Sequence, residues 1–331
     1  MGAEIAHVAA VAGMDVRLCD ADADRARQGR DRALAIASRR VAKGRLDAAD
    51  ADAAAGRITA VTGIADLAGA DVVIEAVPED LALKARVHAE IDRTVGPEVL
   101  VATNTSGLSV TALGNATATP SRLVGLHFFN PASTMRLVEV IAGAATAEET
   151  IARAIALAEA LGKTPVRVRE CPGFVVNRVL VRAMAEAYRA AAGAPVDRRA
   201  ADRAVVEGGP APMGPFALGD LVGLDVLESI RSDLVAAYGD RFADADTLTP
   251  LVAAGRLGRK TGGGLVPDRD EDPTGAEPGV AAVYYAAALD EARRLAGEGV
   301  ASPADIDLAM HLGAGWESGP LAAGSLSANV T

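Results

Sequence analysis

Lysine, aromatic residues and cysteine are all scarce in this sequence. Only 4 of its 33 basic residues are lysine, aromatics make up 3%, and the cysteines are two, Cys19 and Cys171. Two cysteines give neither a disulfide framework nor a metal cluster. Long apolar runs are missing as well. Half of the residues are hydrophobic, yet no run reaches the roughly 18 residues needed to cross a bilayer. No basic start followed by an apolar core marks a secretory leader. Positive charge is outweighed: 33 basic residues face 44 acidic ones, for a formal net charge of −11. That balance argues against a general nucleic-acid or anionic-membrane binder, while a local basic patch for an anionic ligand stays open. These absences leave the expectation of a soluble, cytoplasmic globular protein. Its 331 residues are two domains' worth at about 100–200 residues each. Abundant alanine with little lysine reads as the codon bias of a GC-rich genome, so alanine-rich stretches carry little weight.

What is present is an alternation. Short apolar, β-branched runs at 15–20, 58–61, 71–77, 99–103, 122–128, 137–141 and 164–169 read as strands. Several are apolar throughout, as strands covered on both faces are. Helical patterns at 22–42, 47–55, 80–94 and 147–161 lie between them, which implies βαβ units and a mostly parallel sheet. After Gly173 the pattern turns helical, at 173–192, 197–206, 215–238 and 247–255. Pro and Gly cluster at 262–279, which reads as a linker. Helical pattern returns at 280–298 and 303–312. Residues 183–216 resemble residues 288–321 at a constant offset of 105. Ala183-Met184-Ala185-Glu186-Ala187 matches Ala288-Leu289-Asp290-Glu291-Ala292, Asp202 matches Asp307, and Gly214-Pro215-Phe216 matches Gly319-Pro320-Leu321. A duplicated helical unit is the natural reading. In the second copy Ala282 holds the place of Asn177.

Four histidines are present. His7 lies in an alanine-rich helical pattern, His88 on a charged helix where solvation is expected, and His311 in the second copy. His127 ends an apolar strand and enters a loop containing Asn130-Pro131. Ligands of open α/β sheets bind beyond the carboxyl ends of strands, so His127 is a candidate general base. Glu139 stands inside the apolar strand LVEVI, where a carboxylate needs a partner. The two residues are either a base with its orienting carboxylate or two separate structural groups. Asn104-Thr105-Ser106 follows the strand VLVAT; it is either part of the same rim or a turn capped by its own side chains. Asn177, one turn into the segment opened by Pro172-Gly173, can hydrogen-bond a ligand or pack a helix. Asp20 ends an early strand before a helix, as does the acid that binds the ribose of NAD in dinucleotide folds, or a plain helix N-cap. The usual companion, the GxGxxG turn, is not in the sequence, which opens Met1-Gly2-Ala3-Glu4-Ile5-Ala6.

The segments taken together are more specific. EAVPEDLALK (75–84), NTSGLS (104–109), GLHFFNP (125–131), LVEVI (137–141), PGFVVNR (172–178), PMGPF with the following D and VGLD (212–225), and LGRKTGGG (257–264) occur in that order. The chain resembles the L-3-hydroxyacyl-CoA dehydrogenase family, which includes bacterial 3-hydroxybutyryl-CoA dehydrogenases. Its extra half repeat resembles longer bacterial members, some of which act on 3-hydroxyadipyl-CoA. The resemblance implies an α/β Rossmann-like N-terminal domain at 1–171, a helical C-terminal domain at 172–266 and a partial second copy of it at 280–325. It implies NAD-dependent, reversible oxidation of a 3-hydroxyacyl-CoA to the 3-oxoacyl-CoA, in fatty-acid β-oxidation or aromatic-acid catabolism, with the thioester in a cleft between the two domains. His127 then matches the catalytic base, Glu139 its orienting carboxylate, and Ser106 and Asn177 the residues at the substrate's reacting oxygen. Gly2, Asp20, Glu79, Lys84, Asn104 and Lys260 match cofactor positions, and Lys43 lies where the family places basic residues near the CoA phosphates. A homodimer through the helical domain is the expected assembly.

The sequence also departs from the family. Met1-Gly2 aligns with the end of the glycine turn, so the strand and first glycines that precede it in the family have no counterpart. Two expectations compete: a natural start roughly 10 residues upstream, or a truncated paralogue that binds NAD poorly and keeps only acyl-CoA binding. A related hydroxyacid dehydrogenase that does not use CoA is a further alternative. Leu265-Val266-Pro267 follows KTGGG in place of an aromatic pair. Asp20 favours NAD over NADP, because a carboxylate repels a 2′-phosphate.

Overall fold

A computed structural model describes residues 1–192, 196–266 and 279–322. The chain divides into two compact units, Met1–Glu170 and Cys171–Thr331. The linker pattern at 267–278 and the end of the second copy, 323–325, lie outside the described residues.

The first unit runs α1 (Gly2–Val11), β1 (Val16–Cys19), α2 (Ala23–Ala42), α3 (Ala48–Arg57), β2 (Ile58–Val61), β3 (Val72–Glu75), α4 (Leu81–Thr94), β4 (Leu100–Thr103), α5 (Val110–Gly114), β5 (Leu123–Phe128), β6 (Leu137–Ala142), α6 (Glu148–Ala160) and β7 (Thr164–Arg169). All seven expected strands form, with boundaries within about two residues. The helices start where short polar residues cap them. Asp22 accepts from the Arg25 N–H at 2.9 Å, Asp80 from Leu83 at 2.6 Å and Ser109 from Ala112 at 3.0 Å, each satisfying an N–H that the first turn cannot.

The strands form two sheets. β1 pairs only with β2, in parallel; β3-β4-β5-β6-β7 form the other, parallel except at the antiparallel β5–β6 step. β1 and β3 each keep one edge without a ladder partner among the described residues. α1 joins the two sheets through its side chains. Ile5 and Val8 pack with Leu100, Ala102, Val124 and Val140 of the large sheet. Ala10 packs with Ala33, Ala54 and Ile58, against Val16 and Leu18 of the small one.

The second unit contains α7 (Val176–Ala191), α8 (Arg198–Gly208), α9 (Pro215–Val222), α10 (Leu224–Tyr238), α11 (Thr249–Ala253), α12 (Val280–Gly297) and α13 (Pro303–Ala314). The sequence predicts one helix over 215–238. The structure breaks it at Gly223, whose φ of +102° only glycine adopts freely. α7 begins later than expected because Gly173 and Phe174 form a left-handed turn, with φ of +76° and +50°.

The repeat is physical. Asp202 accepts from the N–H groups of Phe216 (2.9 Å) and Ala217 (2.8 Å), and Asp307 from those of Leu321 and Ala322, each at 2.9 Å. Every atom pair moves by the same 105 positions. The copies also meet reciprocally. The Glu317 N–H donates to the Pro210 carbonyl at 2.8 Å, and a Cβ on Gly315 would lie 3.3 Å from Pro212. The offset turns 210 into 315 and 212 into 317, so the two contacts exchange. That is the signature of a two-fold relation between copies.

Candidate active site

β5 and β6 run antiparallel with His127 directly opposite Glu139. Directly opposed residues share a face of the sheet and touch, and the His127 Nδ1–Glu139 Oε2 distance is 2.7 Å. Glu139 is fully buried, with Val166 of β7 on its other side. His127 retains 6% exposure and tilts against the Phe129 ring, centroids 4.5 Å apart. A carboxylate accepting from Nδ1–H leaves the lone pair on Nε2, the nitrogen that can take a proton.

The loop after β4 is tied to this pair. The Asn104 Oδ1 accepts from the Phe128 N–H at 2.9 Å, next to His127. Thr105 is buried and caps the turn as a Ser/Thr turn does, its hydroxyl accepting from Leu108 N–H at 2.9 Å. Thus the turn reading holds for Thr105. Ser106, partly exposed, presents its backbone N–H to Glu79 Oε1 at 2.8 Å, and the Thr105 hydroxyl donates to the same oxygen at 2.5 Å.

Behind Glu79 lies a buried network the sequence reading missed. Glu75, the last residue of β3, takes the Lys84 ammonium at 2.8 Å, the Thr103 hydroxyl at 2.7 Å, His88 Nε2 at 3.2 Å and the Val77 N–H at 2.6 Å. Burial alone would raise the Glu75 carboxyl. The hydrogen bonds from His88, Lys84 and Thr103 and the Lys84 charge outweigh that and hold it down at about 2. One expectation is corrected here. His88 is fully buried, because α4 turns its i, i+4 pair Lys84–His88 onto Glu75. Lys84 is also fully buried, with Glu75, Glu79 (3.3 Å) and the Val77 carbonyl as partners. Its ammonium thus links Glu75 to Glu79. The signal for this network was legible: Glu75 in VVIEAV is a carboxylate in an apolar strand, as Glu139 is.

Asp20 follows β1, partly exposed, at the carboxyl end of its strand; its Oδ1 accepts from the Asp22 N–H at 3.2 Å. Gly2 opens α1, which has no side-chain N-cap at Met1. An uncapped helix start offers N–H groups to a diphosphate, and a partly exposed acid at a strand end suits ribose hydroxyls, so these residues fit a dinucleotide. Lys43 is exposed at the end of α2. In the second unit, Asn177 is the second residue of α7 and partly exposed, and Lys260 pairs with Asp225. A recess of about 420 Å³ on the small sheet is lined by Arg17, Thr59, Ala60, Val61, Thr62 and Asp66, none of them an expected site residue. No helix among the described residues is long and apolar enough to cross a membrane.

An α/β unit with an acid closing its first strand, and an imidazole set against a buried carboxylate on the sheet, is the architecture of a dinucleotide-dependent dehydrogenase. Comparison with known proteins narrows the class. Residues 1–171 match the NAD binding domain of 3-hydroxyacyl-CoA dehydrogenase, and residues 173–267 and 280–328 match its C-terminal domain. The chain belongs to the 3-hydroxyacyl-CoA dehydrogenase family. It is 39% identical over 266 residues to a probable 3-hydroxybutyryl-CoA dehydrogenase of Bacillus subtilis, covering 80% of this chain and 93% of that one. It is 40% identical over 273 residues to 3-hydroxyadipyl-CoA dehydrogenase of Escherichia coli, covering 82% of this chain but 58% of that protein. The crystal structure of 3-hydroxybutyryl-CoA dehydrogenase from Escherichia coli K12 superposes with a TM-score of 0.91 at 31% identity, covering 99% of this chain and 89% of that one.

Proposed function

We propose that this chain oxidises the 3-hydroxyl of a 3-hydroxyacyl-CoA to the 3-oxo thioester, and runs the reaction in reverse. The observation that carries this reading is the 2.7 Å His127–Glu139 pair on the sheet. Bound NAD would supply the hydride acceptor for C3. His127 takes the hydroxyl proton at Nε2, and Glu139 stabilises the imidazolium that forms through a charge-assisted hydrogen bond. Ser106 and Asn177 orient the reacting oxygen, so geometry supplies much of the rate. Asp20 and the start of α1 at Gly2 hold the cofactor's ribose and diphosphate. Glu79, Lys84, Asn104 and Lys260 would be further cofactor contacts. Lys43 meets the CoA phosphates.

The same reading gives a Rossmann-like domain at 1–171, a helical domain at 172–266 and a partial second copy at 280–325. It places the protein in the cytoplasm, in acyl-CoA β-oxidation, with a second copy of the chain as its expected protein partner through the helical domain. The test is NADH-dependent reduction of acetoacetyl-CoA and of 3-oxoadipyl-CoA by the purified chain. Turnover of either, with loss in His127→Gln, is the expected result. A folded, NADH-binding chain inert towards both thioesters would overturn the assignment.

A further inference from the structure

The start of α7 has no side-chain N-cap, since Val175 stands at that position. The Arg178 N–H donates to the Gly173 carbonyl at 3.1 Å, and the turn carrying Asn177 has two further supports. One is the left-handed Gly173–Phe174 pair. A Cβ on Gly173 would lie 2.8 Å from Leu234, and Phe174 holds a left-handed conformation that non-glycine residues seldom adopt. The other is Arg178, fully buried. Its Nε donates to Glu291 at 2.7 Å, and its two terminal nitrogens donate to both oxygens of Glu298, each at 2.7 Å. The guanidinium also lies 4.3 Å from the Tyr238 ring centroid. Both carboxylates come from the second helical copy.

Three observations say that this clamp serves the first turn of α7 rather than α12. Glu298 is the C-cap of α12, where a negative charge opposes the helix dipole; the carboxylate disfavours its own helix. Next, the copies are related reciprocally, so a contact that served packing alone would occur twice. This one occurs once. The image of Arg178 is Val283, and the image of Glu291 is Glu186, which pairs instead with Arg182 and Arg189 on its own helix. Finally, the clamp is built on the side that carries Asn177; the second copy has Ala282 and Val283, losing the amide and the arginine together.

We propose that Glu298 and Glu291 are positioning residues: through Arg178 they hold the first turn of α7, and with it the carboxamide of Asn177. This rests on the reading in which Asn177 meets the reacting oxygen. Glu298 is half-exposed, so Glu298→Gln in the full chain leaves the fold intact. Two measurements test the clamp. Amide hydrogen exchange over residues 174–180 should accelerate at least tenfold, with α13 unchanged. For acetoacetyl-CoA reduction, kcat should fall at least about tenfold, the scale of a small misplacement, with the Kd for NADH unchanged. Glu298→Asp should recover part of the rate. In an Asn177→Ala background, Glu298→Gln should cost nothing further. Unchanged exchange over 174–180, unchanged kcat, or an equal loss with and without Asn177 would each overturn the proposal. A wild-type chain inert towards acyl-CoA thioesters would overturn the proposed reaction instead, and the exchange measurement would still decide the clamp.

Discussion

His127 faces Glu139 at 2.7 Å across two strands, and His88 faces Glu75 at 3.2 Å between a helix and a strand. Each pair is a buried imidazole on a buried carboxylate, in the same unit. Their surroundings differ. Glu75 is also held by Lys84, Thr103 and the Val77 N–H, so its capacity to accept is spent inside the protein. His88 has no exposed surface, and its Nδ1 has no partner among the described residues. His127 is the penultimate residue of β5, beside the loop that carries Ser106, and keeps 6% exposure. Proximity of acid and imidazole does not make a base. The proposed base differs in its position at the rim of the sheet.

Substitution should separate the two pairs. The largest effect belongs to His127→Gln, which should lower kcat at least about 10²-fold, the contribution of a positioned general base; steady-state kinetics with NADH and acetoacetyl-CoA check it. Glu139→Gln should lower kcat by about 10- to 10²-fold, because a hydrogen bond to a charged partner contributes about 1.5–3 kcal/mol. His88→Leu should leave kcat within about twofold while costing about 1 kcal/mol or more in urea unfolding, since Glu75 loses a donor in a dry site. If His88→Leu lost as much turnover as His127→Gln, the distinction between the pairs would fall.

The smallest effects are in the pH dependence of stability. Glu75 is held at about 2, below the ordinary carboxylate value. Its stabilisation is therefore complete above the ordinary value and is lost as pH falls towards 2. His7 is different again. Burial, and then the Arg40 charge, lower it from 6.5 to about 4, so the folded protein keeps it neutral. The unfolded chain binds the extra proton first, and stability falls as pH drops from 6.5 to 4. Urea titrations should show His7→Gln flattening the upper window and Glu75→Gln the lower one.

The fold was legible where burial is two-sided. β4, β5 and β6 read as apolar runs because both their faces are buried, whereas Arg17, Thr59 and Arg167 leave β1, β2 and β7 exposed on one side. The His127–Glu139 pair was legible for the same reason: a carboxylate in LVEVI has to be answered by something. The identical argument applied to Glu75 in VVIEAV points to Lys84 and His88, which helical spacing puts on one face of α4; the charged neighbours of His88 pointed to solvent instead. The break at Gly223 and the late start of α7 depend on single backbone angles. No pattern in composition encodes those. Arg178 and its carboxylates are more than a hundred positions apart, and such pairing exists only once the copies have docked.

The doubled aspartate caps have a consequence for how this chain has diverged. A duplicated segment starts with two equal sets of residues and afterwards loses whatever only one of them needs. Asp202 survives as Asp307, Gly214 as Gly319 and Glu186 as Glu291, whereas Asn177 and Arg178 have become Ala282 and Val283. The protein thus carries its own control experiment. The aspartate caps stand in both copies, and the amide and guanidinium at 177 and 178 stand in the first alone.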